Sequence, residues 1–138
     1  MPNPDLAALA FKPEKPPNPT MEKPTTAAWG LTISADDYSK LKSGFKPRSQ
    51  DDKWRVFVSS SEPPNTTIKI NRAIFNIEFF VLHIVEKQAP NDSSVEIVSL
   101  TWETSEEKGA MTEEWAKELV VRLLRANLEC DFEAAPQY

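Results

Sequence analysis

The stretch "FNIEFFVLHIVEK", residues 75–87, decides the fold. Its period-2 alternation places Phe75, Ile77, Phe79, Val81, His83 and Val85 on one face. Asn76, Glu78, Phe80, Leu82, Ile84 and Glu86 form the other. Both faces are apolar in the middle, which predicts an inner strand covered on both sides. An inner strand needs partners, and the flanking sequence supplies them. "KWRVFVSS" (53–60) sets Trp54, Val56 and Val58 against Arg55 and Phe57. "TIKINRA" (67–73) sets Ile68 and Ile70 against Lys69 and Asn71. "VEIVSLTWET" (95–104) puts Val98, Leu100 and Trp102 on one face. The connections "EPPNT" (62–66) and "QAPNDSS" (88–94) are short, so neighbouring strands run antiparallel.

Two helices flank these strands. In "TISADDYSKLKSGFKP" (32–47), Ser34 suits an N-cap, with Asp37 three residues on to complete a capping box. Tyr38 and Leu41 share a face; Gly44 ends the helix and Pro47 prevents its resumption. Near the C-terminus, Thr112 caps a second helix, and Glu113 and Glu114 suit the positive end of its dipole. Trp115, Leu119, Leu123 and Ala126 recur at helical spacing, with Val120, Leu124 and Leu128 widening the stripe and Trp115 read as core. About 16 residues at roughly 1.5 Å each span about 24 Å, enough to cross a four-stranded sheet. The predicted fold is α+β: a two-layer sandwich in which a long C-terminal and a short N-terminal helix cover a four-stranded, mainly antiparallel sheet.

Seven of the twelve prolines lie in residues 1–24, which excludes a regular helix or inner strand there. Residues 1–28 therefore read as a proline-rich arm or flexible tail, with Leu6, Leu9, Phe11 and Trp29 as its possible anchors. Residues 29–130 form the single domain, and 131–138 a C-terminal tail that docks through Phe132.

Composition narrows the function classes. The single cysteine, Cys130, forms no intramolecular disulfide and suits a reducing, cytoplasmic setting. No basic-then-apolar leader and no long apolar run is present, so neither secretion nor a membrane is expected. One His and one Cys make no zinc cluster, so no metal is assigned. No Gly-rich phosphate loop occurs among three glycines, so no cofactor is assigned. Charge is uneven: residues 40–72 carry net +5 and residues 73–138 net −8. The acidic run 103–118 argues against general nucleic-acid binding. The basic middle can receive an anion, pair with the acidic part, or face solvent.

The motif "GFKPRSQDDKW" (44–54) carries a resemblance. With Leu41, Gly44, Phe45, Pro47, Arg48, Asp51, Asp52, Lys53 and Trp54 it resembles a family of small uncharacterised bacterial and fungal proteins. That family reads roughly L-x-x-G-F-x-P-R-x-M-D-D-K-W, then a strand with R-S-W-T-G and a strand ending W-E-T. Arg72 stands at the strand arginine, and Trp102-Glu103-Thr104 at the later strand. The chain departs at Gln50 and at Ala73-Ile74-Phe75-Asn76, where the family has Met and S-W-T-G. The resemblance spans roughly residues 31–130 and implies a compact domain and a candidate surface; it implies no activity.

The candidate catalytic groups are Asp51, Asp52, His83 and Glu78. Adjacent aspartates on an extended chain point apart, and either one also serves a turn by accepting backbone N–H groups. His83 titrates near neutrality, although a lone histidine on an apolar strand face commonly packs there. The candidate ligand-binding residues are Arg72 and Arg48, which clamp a carboxylate or pair with Asp52, and Trp54 and Trp102, which line a pocket or join the core. No nucleophile motif occurs, and Cys130 lies beside Glu129 and Asp131, without the positive surroundings that activate a thiolate. The leading expectation is a non-enzymatic binding or interaction module for an unknown protein or small molecule. The alternative is a small acid–base enzyme, an isomerase or cyclase working on an apolar metabolite between sheet and helix. A third is a homodimer formed through a strand edge.

Overall fold

The computed structural model describes residues 20–49, 51–89, 92–105 and 111–138. The anchors Leu6, Leu9 and Phe11 of the proline-rich arm, and Gln50 of the motif, lie outside the described residues. In chain order the elements are β1 (Pro24–Ile33), α1 (Ala35–Ser43), β2 (Trp54–Glu62), β3 (Asn65–Arg72), a 3-10 turn (Ile74–Asn76), β4 (Ile77–Ala89), β5 (Asp92–Glu103) and α2 (Glu113–Leu128). They form an α+β fold with one antiparallel sheet in the order β1-β5-β4-β3-β2.

The sheet has five strands where the sequence predicted four. The additional strand, β1, begins within the segment assigned to the arm. Its apolar signal is thin, and a register shift between Ala28 and Leu31 breaks the alternation. Pro24 is its first residue and β1 is an edge strand, the position where a missing N–H is tolerated. From β1 the chain crosses through α1 to the opposite edge, β2, and then meanders inward through β3, β4 and β5.

The core lies between the sheet and the two helices. Ile68 and Ile70 of β3, Phe80, Leu82 and Ile84 of β4, and Ile97, Leu100 and Trp102 of β5 are buried with Leu41 of α1 and with Ala116, Val120, Val121 and Leu124 of α2. Each such side chain contributes roughly 1.5–3 kcal/mol on full burial. The opposite face carries Phe57, Thr67, Lys69, Val81, His83, Val85, Ser99 and Thr101, all half-buried. The expectation that β4 is covered on both sides therefore holds for one side only; its second apolar row is a half-exposed strip.

Bulges explain two departures from simple alternation. Between β3 and β4 the pairing steps from Ile70↔Phe80 to Asn71↔Glu78 and leaves Phe79 unpaired. Phe79 turns to pack edge-on against Trp54, with ring centroids 5.5 Å apart, and leaves the Val81 row. In β5 the pairing steps from His83↔Ser99 to Ile84↔Ile97, so Ile97, not Val98, joins Leu100 and Trp102 in the core.

The helix ends follow their caps. Ser34 Oγ accepts from Asp37 N at 3.0 Å, and Thr112 Oγ1 accepts from Trp115 N at 3.2 Å. The reciprocal half of the first capping box is not made. The Asp37 carboxylate instead accepts from Asp131 N (2.9 Å) and Phe132 N (2.8 Å), which ties down the C-terminal segment. Phe132 is buried there, as expected. Trp115 is 45% exposed and not a core residue, because the buried stripe of α2 is rotated one position to Ala116, Val120 and Leu124.

Candidate functional site

The candidate site is a cleft of about 570 Å³ lined by Ser49, Asp52, Lys53, Arg72, Ala73 and Ile74. It joins the motif loop to the turn after β3. Gly44 sets the loop's entry. Its φ is +75°, and its N–H donates to Lys40 O to close α1. A Cβ at this position would lie 2.4 Å from Val56 O, so no side chain fits against β2. Phe45 then exchanges backbone hydrogen bonds with Val56 (2.9 and 3.0 Å), and the loop re-enters the sheet at Trp54. Lys53 O accepts from Ala73 N at 2.8 Å, which holds the loop against the 3-10 turn.

Within the loop, Asp52 does a turn's work. Its Oδ2 accepts from Arg48 N at 2.8 Å and lies 3.5 Å from Arg48 Nε, while its own N–H donates to Ser49 O at 3.1 Å. Asp51 is exposed, and its N–H donates to Ser49 Oγ at 3.2 Å. Asp52 therefore pairs with Arg48, and Arg72 is left for another role. The Arg72 guanidinium lies over the Trp54 ring, 5.0 Å from its centroid. Among the described residues, neither Arg72 nor Lys53 forms an ion pair or a side-chain hydrogen bond. The cleft thus presents two cations without acidic partners beside one carboxylate that is already engaged.

The turn after β3 lines the cleft through Ala73 and Ile74 and is strained at the two residues that follow. Ile74 and Phe75 are 64% and 57% exposed. Phe75 (φ 60°, ψ 7°) and Asn76 (φ 49°) occupy the left-handed region, where a bulky side chain is uncommon. Asn76 Oδ1 accepts from Asn71 Nδ2 at 3.1 Å and from Arg55 Nη1 at 3.4 Å, which fixes the turn from the sheet side. Phe75 and Asn76 were read from sequence as the start of the long strand; they form the turn before it, and β4 opens at Ile77.

The remaining sequence candidates are not gathered here. Trp102 is 3% exposed in the core and donates its indole N–H to Met111 O at 2.9 Å, so it lines no cleft. Glu78 pairs with Lys69 at 2.6 Å on the half-exposed face. His83 Nε2 lies 3.1 Å from Thr101 Oγ1, which in turn lies 2.7 Å from Thr26 Oγ1. Burial lowers the pKa of His83. His83 pairs with Thr67, five positions along β3 from Arg72. At roughly 3.3 Å per residue that places it about 16 Å from the level of the cleft. The sequence missed Ser49, Lys53, Ala73 and Ile74 as lining residues. Lys53 was visible inside the motif, but its relation to Ala73 depends on strand pairing.

Among the described residues no group of His, Cys, Asp and Glu is placed to hold a metal, and no helix is long and apolar enough to cross a membrane. Comparison of the chain with family models, curated proteins and solved structures found no match in any of the three.

Proposed function

We propose that this chain is a small binding module that receives an anionic group in the cleft between its motif loop and the turn after β3. The observation that carries this reading is the pair Arg72 and Lys53. Both line the cleft, and both lack acidic partners among the described residues. Trp54 covers one side of the Arg72 guanidinium, which limits its motion and prepares its N–H groups for a carboxylate or similar anion. The cleft volume falls within the range of small-molecule sites, about 300–1,000 Å³. The motif residues that carry the family resemblance, Arg48, Asp52, Lys53, Trp54 and Arg72, lie around this same feature.

A binding role is favoured over acid–base catalysis by the same geometry. Proton transfer needs a base within about 3 Å of its substrate. Asp52 is committed to Arg48, and His83 and Glu78 lie on the sheet's half-exposed face.

The test is calorimetric titration of the wild type and Arg72→Gln with acetate and phosphate, with the Trp54 indole N–H resonance as a local reporter. Saturable binding with a Trp54 shift in the wild type, weakened at least about tenfold in Arg72→Gln, is the expected result. Absence of binding, or equal binding by the variant, overturns the reading.

A further inference from the structure

We infer that the ligand of this cleft is an amphipathic acid, a small carboxylate joined to an apolar body that lies over Ile74 and Phe75. The inference rests on the anion-binding reading above and deepens it. Three observations lead to it. The first is the charge of the described lining: Lys53 and Arg72 are its cations, and its one carboxylate, Asp52, is held by Arg48. The planar guanidinium, stacked on Trp54, matches a carboxylate's two oxygens.

The second observation is the apolar wall. Ala73 and Ile74 line the cleft directly beside the two cations. Ile74 and Phe75 are the two most exposed large apolar side chains among the described residues. Such side chains placed next to a polar anchor suit a ligand with one charged end and one hydrocarbon end.

The third observation is the backbone. Phe75 holds a left-handed conformation that its side chain disfavours, and Asn71 and Arg55 hold Asn76 beside it. Phe75 nonetheless remains 57% exposed, so burial in the core does not reward that conformation. Strain maintained at an exposed apolar residue next in the chain to the cleft-lining Ile74 is accounted for when the residue serves a ligand.

The test uses the full chain and four probes: octanoate, acetate, 1-octanol, and a short peptide ending in a leucine carboxylate. Octanoate is expected to bind at least about tenfold tighter than acetate, the gain from burying roughly two methylenes. It is expected to exceed 1-octanol by a similar factor, through the carboxylate. Ile74→Ser and Phe75→Ser are each expected to bring the ratio of octanoate to acetate affinity within that variant down to about one. Both positions are exposed, so thermal unfolding will show each variant folded. Equal affinity for octanoate and acetate overturns the amphipathic assignment while the anion site stands. Failure of every anion to bind overturns the anion site itself. A peptide that binds more than about tenfold tighter than octanoate replaces the small-molecule assignment with a protein partner.

Discussion

The molecule treats two buried acids and the two cations of the cleft in opposite ways. Asp37 and Glu103 are 1% and 0% exposed, and both carboxylates are engaged by backbone N–H groups. Asp37 takes Asp131 N and Phe132 N; Glu103 takes Glu22 N (2.8 Å), Lys23 N (2.8 Å) and Ser105 N (3.2 Å). Each acid fastens one end of the described chain to the sheet-and-helix body. The Arg72 and Lys53 side chains stand at an open cleft and, among the described residues, form no ion pair or hydrogen bond. The contrast separates charge used for folding from charge left for a ligand. A buried carboxylate must be satisfied internally, whereas a cation at a cleft mouth can keep water until an anion replaces it.

The contrast breaks if the acids prove dispensable or the cations prove structural. Glu103→Ala should have the largest effect, a loss of about 3–5 kcal/mol in urea denaturation, because at least three backbone donors lose a fully buried acceptor. Asp37→Ala should cost about 2–4 kcal/mol and expose the C-terminal segment to proteolysis, although Arg125 still holds Asp131 O, Phe132 O and Pro136 O. A loss below about 1 kcal/mol for either variant would refute the fastening role. Phe75→Gly should stabilise the fold by about 1 kcal/mol, since glycine adopts the left-handed region without penalty, and should weaken octanoate binding. Arg72→Gln should change stability by no more than about 1 kcal/mol, the scale of one stacked cation, while removing anion binding.

The smallest expected effect is on pH dependence. Burial lowers the pKa of His83 below its usual 6.5, so the unfolded chain binds the proton more readily than the folded one. The stabilising contribution of neutral His83 is therefore complete above pH 6.5 and declines as pH falls below it. His83→Gln should flatten that part of the stability profile, and an unchanged slope would mean another group carries it. Cys130 offers a companion measurement. Burial pushes its thiol up to about 12, so labelling by a thiol reagent at neutral pH should follow global unfolding.

How much was legible in the sequence differs between fold and site. The strands β2, β3 and β5 and the core row Phe80, Leu82 and Ile84 followed from alternation, because side-chain period is a local property of extended backbone. Both N-caps followed from single hydroxyl residues next to helical patterns. The edge strand β1 escaped because a bulge and small side chains erase its period. Trp115 escaped because its helix presents the neighbouring stripe to the sheet.

For the site, residues 44–54 were recognisable as a distinct loop, and Arg48, Asp52, Lys53 and Trp54 are spelled out there. The sequence by itself determined that a helix stops at Gly44, that a polar turn follows, and that a strand begins at Trp54. These depend on local backbone preference and on hydrogen bonds between residues a few positions apart. Tertiary structure alone decided which of two arginines Asp52 would take, and that Arg72 would lie on Trp54. It also decided that Lys53 would meet Ala73, and that Ile74 and Phe75 would be presented outward. Those outcomes depend on the antiparallel register of β2, β3 and β4, in which a single bulge redirects every side chain beyond it.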